Sequence, residues 1–182
     1  MEETKKSTKK EIMEWIIDIV VAVLIALLIL QFIKPTVVRE HSMENTLVEN
    51  DYLFMSRKAY KWFGDPQRGD IIVFHSSLTT AGGKEKLLVK RIIAIPGDTI
   101  EIHQGLVALN GEILAEGYTK DGFTTGDMDE ITIPEGYLFC MGDNRQNSAD
   151  SRDSRIGLVA IDDVAGKVVF RLFPFNKIGK VK

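Results

Sequence analysis

The chain has 182 residues, which allows one globular domain and a short additional segment. Its net charge of −3, with no basic stripe interleaved with aromatic residues, argues against a nucleic-acid partner. The single cysteine, Cys140, excludes an internal disulfide, a zinc finger and a redox dithiol. Cys140 lies in the apolar run 137–141, so we predict that it is a buried strand residue.

The first predicted element is an apolar helix at residues 15–33. Its sequence, WIIDIVVAVLIALLILQFI, has one charge near its start and no polar face further along. Roughly 20 apolar residues are needed to cross a bilayer, so the segment predicts a transmembrane helix. A cleaved secretory signal would have a shorter apolar core and a cleavage site of small residues, which residues 31–36 do not offer. We therefore interpret the helix as a retained membrane anchor.

The distribution of basic residues predicts the orientation of this anchor. Four lysines lie within residues 5–10, whereas Lys34 and Arg39 are the nearby basic residues after the helix. An excess of lysine before a membrane helix favours a cytoplasmic N-terminus. We expect a single-pass protein of the cytoplasmic membrane, with residues 1–14 as a cytoplasmic tail and residues 34–182 as an extracytoplasmic domain.

The remaining sequence alternates short apolar runs with turn residues, which predicts a mostly β domain. The candidate strands are 36–40, 52–57, 70–75, 87–95, 99–103, 106–109, 137–141 and 166–172. Because no long amphipathic helix follows the anchor, we predict a folded antiparallel β-sheet or partly open barrel that protects its edges. Residues 98–136 include a loop-rich stretch at 114–130 and are predicted to form an inserted subdomain.

The three histidines give little support to a histidine-based active site. His41 is adjacent to Ser42, but neighbouring residues of a strand point to opposite faces. His75 and His103 lie at a strand end and in a hairpin, and none of the three has the spacing of a metal-ligand motif. We expect a solvated or structural role for each, and we predict no metal and no cofactor.

A lysine within an apolar strand offers another catalytic base. In residues 87–95 (LLVKRIIAI), a period of two places Leu88 and Lys90 on one face and Val89 and Arg91 on the other. A buried arginine needs a carboxylate partner, whereas a buried lysine can lose its proton. From this segment alone, an edge strand with a solvated Lys-Arg pair is slightly favoured over a buried catalytic lysine.

Residues 142–155 (GDNRQNSADSRDSR) mix acids, bases and amides. Calcium binding by an EF-hand would need glycine at the sixth position and glutamate at the twelfth. Counted from Asp143, those positions hold Ser148 and Ser154, so the EF-hand reading fails. The composition instead suggests an ion-paired, hydrogen-bonded loop fixed against the barrel.

Four segments together resemble motifs of type I signal peptidases, the membrane proteases that remove signal peptides from exported preproteins. The segments are SMENTL at 42–47, KRIIAIPGD at 90–98, GDNRQNSADSR at 142–152, hereafter called the third motif, and RGDIIVF at 68–74. Their order and spacing also match, and the resemblance covers nearly the whole chain. The single anchor and short catalytic domain are most similar to the Gram-positive form of the family.

The resemblance implies a catalytic mechanism for this chain. Ser42 would be the nucleophile of an acyl-enzyme mechanism, Lys90 its general base, and Ser148 a hydrogen-bond partner that orients the lysine amine. The backbone amide of Ser42 would donate to the oxyanion. Two ion pairs, Asp150 with Arg152 and Asp143 with Arg91, would hold the third motif against the site.

The resemblance also implies how a substrate binds. The signal peptide of an exported preprotein would lie as an extended strand between residues 36–42 and the strand that precedes Lys90. Its small side chains before the cleavage site would enter shallow apolar pockets. The positions that match the family's pocket lining are Val38, Met43, Leu88 and Val89.

Two residues depart from the family pattern. Asn45 stands where the nucleophile motif has proline, so the turn after Ser42 loses a fixed φ. Glu40 stands where some members have a serine that assists the oxyanion, a role that an ionised carboxylate cannot fill. These departures leave an alternative function, a weakly active or inactive paralogue that binds exported segments.

Overall fold

The computed structural model describes residues 2–62, 64–80 and 82–181, with the side chains of 2–7, 61 and 62 outside the description. The chain divides into two compact units, Met1–Lys34 and Pro35–Lys182. The first unit is largely α1 (Glu2–Phe32). Within it, Thr8–Phe32 is long and apolar enough to span a membrane, with a mean hydropathy of 2.7 and none of the span buried. The predicted apolar N-terminal helix is confirmed.

The second unit is built mostly from β-strands. The strands of the described chain are β1 (Ile33–Val37), β2 (Tyr52–Ser56), β3 (Ile71–Thr79), β4 (Glu85–Ala94), β5 (Thr99–His103), β6 (Leu106–Leu109), β7 (Glu112–Ile113), β8 (Met128–Thr132), β9 (Tyr137–Met141), β10 (Val159–Ala160), β11 (Val164–Phe173) and β12 (Gly179–Lys180). One short helix, α2 (Ala59–Trp62), and two 3-10 turns, Ile161–Asp163 and Phe175–Lys177, lie among them. The prediction of a mostly antiparallel β domain is confirmed.

The larger sheet has the strand order β1-β2-β11-β3-β4-β9-β10, with β12 paired to β11. Within the described residues it does not close on itself, so the domain is an open folded sheet and not a closed barrel. β4 lies near the middle, between β3 and β9, and pairs Lys90 with Ile72 and Arg91 with Met141. This placement brings the centre of β4 beside the loop that follows β9.

Both faces of the larger sheet are covered by apolar side chains. On β3, Val73 packs in one cluster with Val38, whereas Ile72 and Phe74 pack in another with Leu88. This alternation follows the period of two of a β-strand. A strand covered on both faces has few solvated positions, which explains why most residues of β3 and β4 are apolar.

The smaller sheet has the order β7-β6-β5-β8 and lies within residues 98–136. Its core includes Ile100, Ile102 and Val107. β8 falls partly in the stretch 114–130 that the sequence analysis treated as loop. Its sequence MDEIT carries two acidic residues and no clear alternation, and its pairing with β5, Ile131 opposite Ile100, supplies the order that the local pattern lacks.

The first strand also differs from its prediction. A strand was expected at 36–40, but β1 ends at Val37. Val38 still makes two backbone hydrogen bonds: its N–H donates to the Asp51 carbonyl, and its carbonyl accepts from the Asn50 N–H. The chain then enters a series of turns. Pro35 is tolerated because β1 lies at the end of the sheet, where a missing N–H disrupts no ladder.

Candidate active site

The side chains of Ser42 and Lys90 meet in the interior of the domain. Lys90 Nζ lies 2.7 Å from Ser42 Oγ and also donates to the carbonyl of Val89 at 3.0 Å. Lys90 is 1% exposed and Ser42 is 8% exposed. The solvated Lys-Arg pair that the sequence left open is therefore wrong for β4, because both Lys90 and Arg91 are buried.

Burial makes Lys90 a stronger candidate for a base. Removal from water disfavours the ammonium form and lowers the pKa of Lys90 from its ordinary value to about 8. Asp150 and Glu40 act in the opposite sense, and Lys86 acts in the same sense as burial. A substantial fraction of Lys90 is therefore neutral near pH 8 and able to accept a proton.

The third motif holds the backbone of Ser42 in place. The amide of Asn144 donates to the Ser42 carbonyl at 3.0 Å, and the Asn144 side chain donates to the His41 carbonyl at 3.0 Å. A Cβ at position 142 would lie 2.3 Å from the Ser42 carbonyl oxygen and 2.3 Å from Ser148 Oγ, so Gly142 permits this close packing. No role could be predicted for Asn144 from the sequence, because a contact between residues about 100 positions apart leaves no local sequence pattern.

Ser148 lies near the pair but does not make the expected hydrogen bond. Its hydroxyl oxygen is buried and has no partner in hydrogen-bonding geometry within the described chain. Lys90 Nζ is bonded to Ser42 and Val89 instead, so the predicted Ser148–Lys90 bond is absent from this structure.

Both ion pairs implied by the resemblance are formed. Arg91 bonds Asp143 through two atoms, at 2.8 Å from Nε and 2.7 Å from Nη2, and these side chains are 3% and 0% exposed. Arg152 bonds Asp150 through two atoms, each at 2.8 Å. Burial alone would raise the pKa of the Asp150 carboxyl, but the Arg152 guanidinium outweighs it and the pKa is lowered.

Arg145 is a further buried charge that the sequence analysis missed. Its side chain is fully buried, and it donates to the Gly142 carbonyl at 3.0 Å and to Thr124 at 2.7 Å. It also forms an ion pair with Glu116. Arg145 thus ties the third motif to the loop before β8. A buried arginine requires a carboxylate, but the sequence alone did not indicate which of many acids supplies it.

Asn45 has a defined role in the turn after the nucleophile. Its φ is +89°, in the left-handed region, where proline with its fixed negative φ cannot stand. Its side-chain amide donates to the carbonyls of Tyr118 at 3.1 Å and Thr119 at 3.3 Å. Asparagine therefore replaces the rigidity of proline with hydrogen bonds to a neighbouring loop.

An apolar cleft opens beside Ser42. It has a volume of about 420 Å³, and its walls are residues 36–43 and the first half of β4. Three of the four substrate-binding candidates, Val38, Met43 and Val89, line this cleft. Leu88 does not line it. Leu88 is 2% exposed and packs with Phe74 on the other face of β4, because adjacent strand residues point in opposite directions.

Glu40 lies at the rim of this cleft and is engaged by Lys86. The two form a salt bridge of 2.5 Å, Glu40 Oε1 to Lys86 Nζ. As an ionised acceptor, Glu40 has no proton to donate to an oxyanion. A second pocket, of about 320 Å³, lies next to Ser42 and is lined by Glu40, His41 and Asn147 among others.

Histidine and metal chemistry find no support among the described residues. His41, His75 and His103 are exposed, and each lies beside a glutamate, at 2.6 Å, 2.7 Å and 3.4 Å respectively. Across the part of the chain that the structure describes, no cluster of His, Cys, Asp and Glu has metal-site geometry. Cys140 is buried in β9, as predicted.

Comparisons with known proteins identify the family. The family model described as "Signal peptidase, peptidase S26" matches residues 12–173, so this chain belongs to that family. The chain is 41% identical over 160 residues to signal peptidase I P of Bacillus subtilis subsp. natto, covering 82% of this chain and 81% of that protein. It is 37% identical over 157 residues to signal peptidase I of Bacillus amyloliquefaciens, covering 81% and 80% respectively.

A solved structure of a signal peptidase I from Enterococcus faecalis V583 is also similar. It is 33% identical, with a TM-score of 0.47, and the match covers 57% of this chain and 96% of that chain. The resemblance inferred from the four motifs is thus confirmed at the level of the family by the sequence matches.

Proposed function

We propose that this protein is a membrane-anchored serine endopeptidase that removes N-terminal signal peptides from exported preproteins, with Ser42 and Lys90 as its catalytic dyad. One observation carries the proposal: a buried lysine amine lies 2.7 Å from a serine hydroxyl at the edge of an apolar cleft. Membership of the signal peptidase family supports the substrate class. The printed names of the similar Bacillus proteins agree with it.

The geometry supports an acyl-enzyme mechanism. Neutral Lys90 takes the proton of Ser42 as the serine oxygen attacks the scissile carbonyl, and the backbone amide of Ser42 donates to the resulting oxyanion. When the C–N bond breaks, Lys90 returns that proton to the leaving nitrogen. Water then attacks the ester, losing a proton to Lys90, and Ser42 regains a proton as the acid product leaves.

The residues around the dyad act by positioning. The Val89 carbonyl and Ser42 fix the lysine amine, while Asn144 fixes the nucleophile's backbone. The Asp143–Arg91 and Asp150–Arg152 pairs fix the ends of the third motif. Ser148 is buried beside Gly142, and we propose that it supports the dyad from there.

The cleft beside Ser42 is suited to an extended apolar peptide. Val38, Met43 and Val89 form its apolar surface next to the nucleophile, and small side chains of a signal peptide would fill it. The buried position of Leu88 leaves it out of direct substrate contact in this proposal. Its exposed neighbour Leu87 lines the cleft in its place.

The apolar helix supports the location of the activity. We propose that residues 15–33 anchor the protein in the lipid of the cytoplasmic membrane, with residues 1–14 in the cytoplasm and 34–182, including an inserted subdomain at 98–136, outside it. The lysines before the helix support this orientation. A dyad on the outer side would meet a preprotein as its signal peptide emerges from the membrane.

Turnover on a preprotein tests the proposal. The full chain in detergent–lipid micelles is expected to cut a preprotein carrying an Ala-x-Ala site after the second alanine, yielding many product molecules per enzyme. Mass spectrometry of the new N-terminus identifies the cut, and a preprotein with bulky residues at both alanine positions serves as the control. Stable binding of the preprotein without product would instead support the alternative function, a paralogue that binds exported segments.

The pH dependence of the reaction should report the state of Lys90. Because burial lowers the pKa of Lys90 to about 8, the neutral base becomes more abundant as the pH rises through that value. We expect kcat/KM to increase about tenfold per pH unit well below pH 8 and to level off above it. Initial rates from pH 6 to about pH 10 measure this rising part of the kcat/KM profile, the acid limb. A limb centred near the ordinary lysine pKa of about 10.4 would contradict the assignment.

A further inference from the structure

The Glu40–Lys86 salt bridge joins the two walls of the cleft. Glu40 belongs to the segment before the nucleophile, and Lys86 belongs to β4. The bridge is 2.5 Å long, and the two side chains are 46% and 33% exposed. An exposed salt bridge of this kind contributes little to the free energy of folding. What distinguishes the Glu40–Lys86 bridge is its position across the cleft.

Both members of the bridge are close to the dyad. Glu40 is two residues before Ser42 and lines both the cleft and the second pocket beside the nucleophile. Lys86 is four residues before Lys90 on β4 and lines the cleft. Because the amine of Lys90 is buried, its interaction with these charges is screened less than between fully solvated groups.

The two charges affect Lys90 in opposite directions. The Glu40 carboxylate favours the ammonium form of Lys90, and the Lys86 ammonium disfavours it. The remaining groups that face Lys90 are Asp150, from the loop after β9, and the Cys140 thiol, whose pKa is raised by burial so that it stays neutral. Asp150 is itself paired with Arg152. The closed bridge is formally neutral, and the effects of its two charges on Lys90 oppose each other.

We propose that Glu40 and Lys86 are positioning residues that form a compensated charge pair across the cleft, in which each charge offsets the effect of the other on the dyad. The proposal rests on the proposed Ser42–Lys90 mechanism. It gives Glu40 a role at a position where the family resemblance led us to consider an oxyanion donor. Loss of either charge alone should disturb the base, whereas loss of both should not.

Two single variants and their combination test the proposal in the full chain in detergent–lipid micelles. In Lys86→Gln, the uncompensated carboxylate should move the acid limb of the kcat/KM profile to higher pH, on the order of 0.5 unit. In Glu40→Gln, the uncompensated ammonium should move it to lower pH by a similar amount. At a pH below the limb, these shifts correspond to rates about threefold lower and about threefold higher. The double variant should return to the profile of the unmodified enzyme.

Lys120→Gln is the matched control. It removes a Lys–Glu bridge of 2.7 Å, to Glu44, and Lys120 is neither in the cleft nor among the groups that act on Lys90. We expect its pH profile to be unchanged. The proposal is overturned if the two single variants leave the limb in place, or if both move it in the same direction. Failure of the dyad itself would be seen separately, as cleavage that persists in Ser42→Ala.

Discussion

Replacing Lys90 with methionine, or Ser42 with alanine, is expected to reduce kcat for preprotein cleavage by about a thousandfold or more. Lys90→Met removes the proposed base, which lies 2.7 Å from Ser42, and Ser42→Ala removes the atom that is proposed to form the acyl-enzyme. Because both variants disable the same Ser–Lys pair, the double variant should lose little more kcat than either single variant. Single-turnover cleavage of a preprotein, followed by mass spectrometry, measures the loss.

Methionine is chosen because it separates chemistry from folding. It has nearly the length of lysine and no charge, so it suits a position that is 1% exposed and should leave thermal unfolding nearly unchanged. Lys84→Met, at an exposed residue before β4, is the matched control and should cleave normally. Cleavage by Lys90→Met at the rate of the unmodified enzyme would remove Lys90 from the mechanism.

Replacing Asp143 with asparagine should have the largest effect on stability. The change leaves the buried Arg91 guanidinium without its carboxylate, and breaking a buried ion pair in this way costs about 3 kcal/mol. For a domain of this size, that loss corresponds to a Tm lower by roughly 10 °C. Thermal unfolding of the full chain in detergent, followed by circular dichroism, measures the shift.

Asp153→Asn provides the comparison for this second prediction. Asp153 also pairs with an arginine, Arg155, in the same loop, but the Arg155 side chain is 70% exposed. Solvent screens such a pair, so its loss should leave the Tm nearly unchanged. Equal Tm values for Asp143→Asn and the unmodified protein would show that the buried pair does not hold the third motif in place.

The elements that could be predicted from sequence are those with a strong local pattern. The uninterrupted apolar run of α1 and the Val-, Ile- and Leu-rich runs of β3 and β4 each specify one structure from a few neighbouring residues. β7, β8, β10 and β12 were missed. β8 carries acidic residues, the other three have only two residues each, and all four are ordered by the strands beside them. Their pairing is a property of the whole sheet.

The same distinction applies to the site. Lys90 stood out because a charge within an apolar strand face requires an explanation. Asn144 and Arg145 could not be recognised in this way, because their partners are distant in sequence. Any carbonyl could accept a hydrogen bond from Asn144, and any acidic residue could pair with Arg145. The family resemblance predicted that both Leu88 and Val89 line the substrate pocket. Strand alternation already implied that only one of these neighbours faces the cleft, and the structure shows that it is Val89.

The position of the dyad along the chain has a consequence for biogenesis. Nucleophile and base are separated by 48 residues, and the backbone bond between Ser42 and Asn144 joins segments about 100 residues apart. Such non-local contacts form late in folding, because the closure of long loops must precede them. Until the loop after β9 docks, the serine has no fixed geometry. On the proposed topology and mechanism, a newly made molecule would therefore be latent during its own passage across the membrane, and its own apolar N-terminal segment would not meet a working protease.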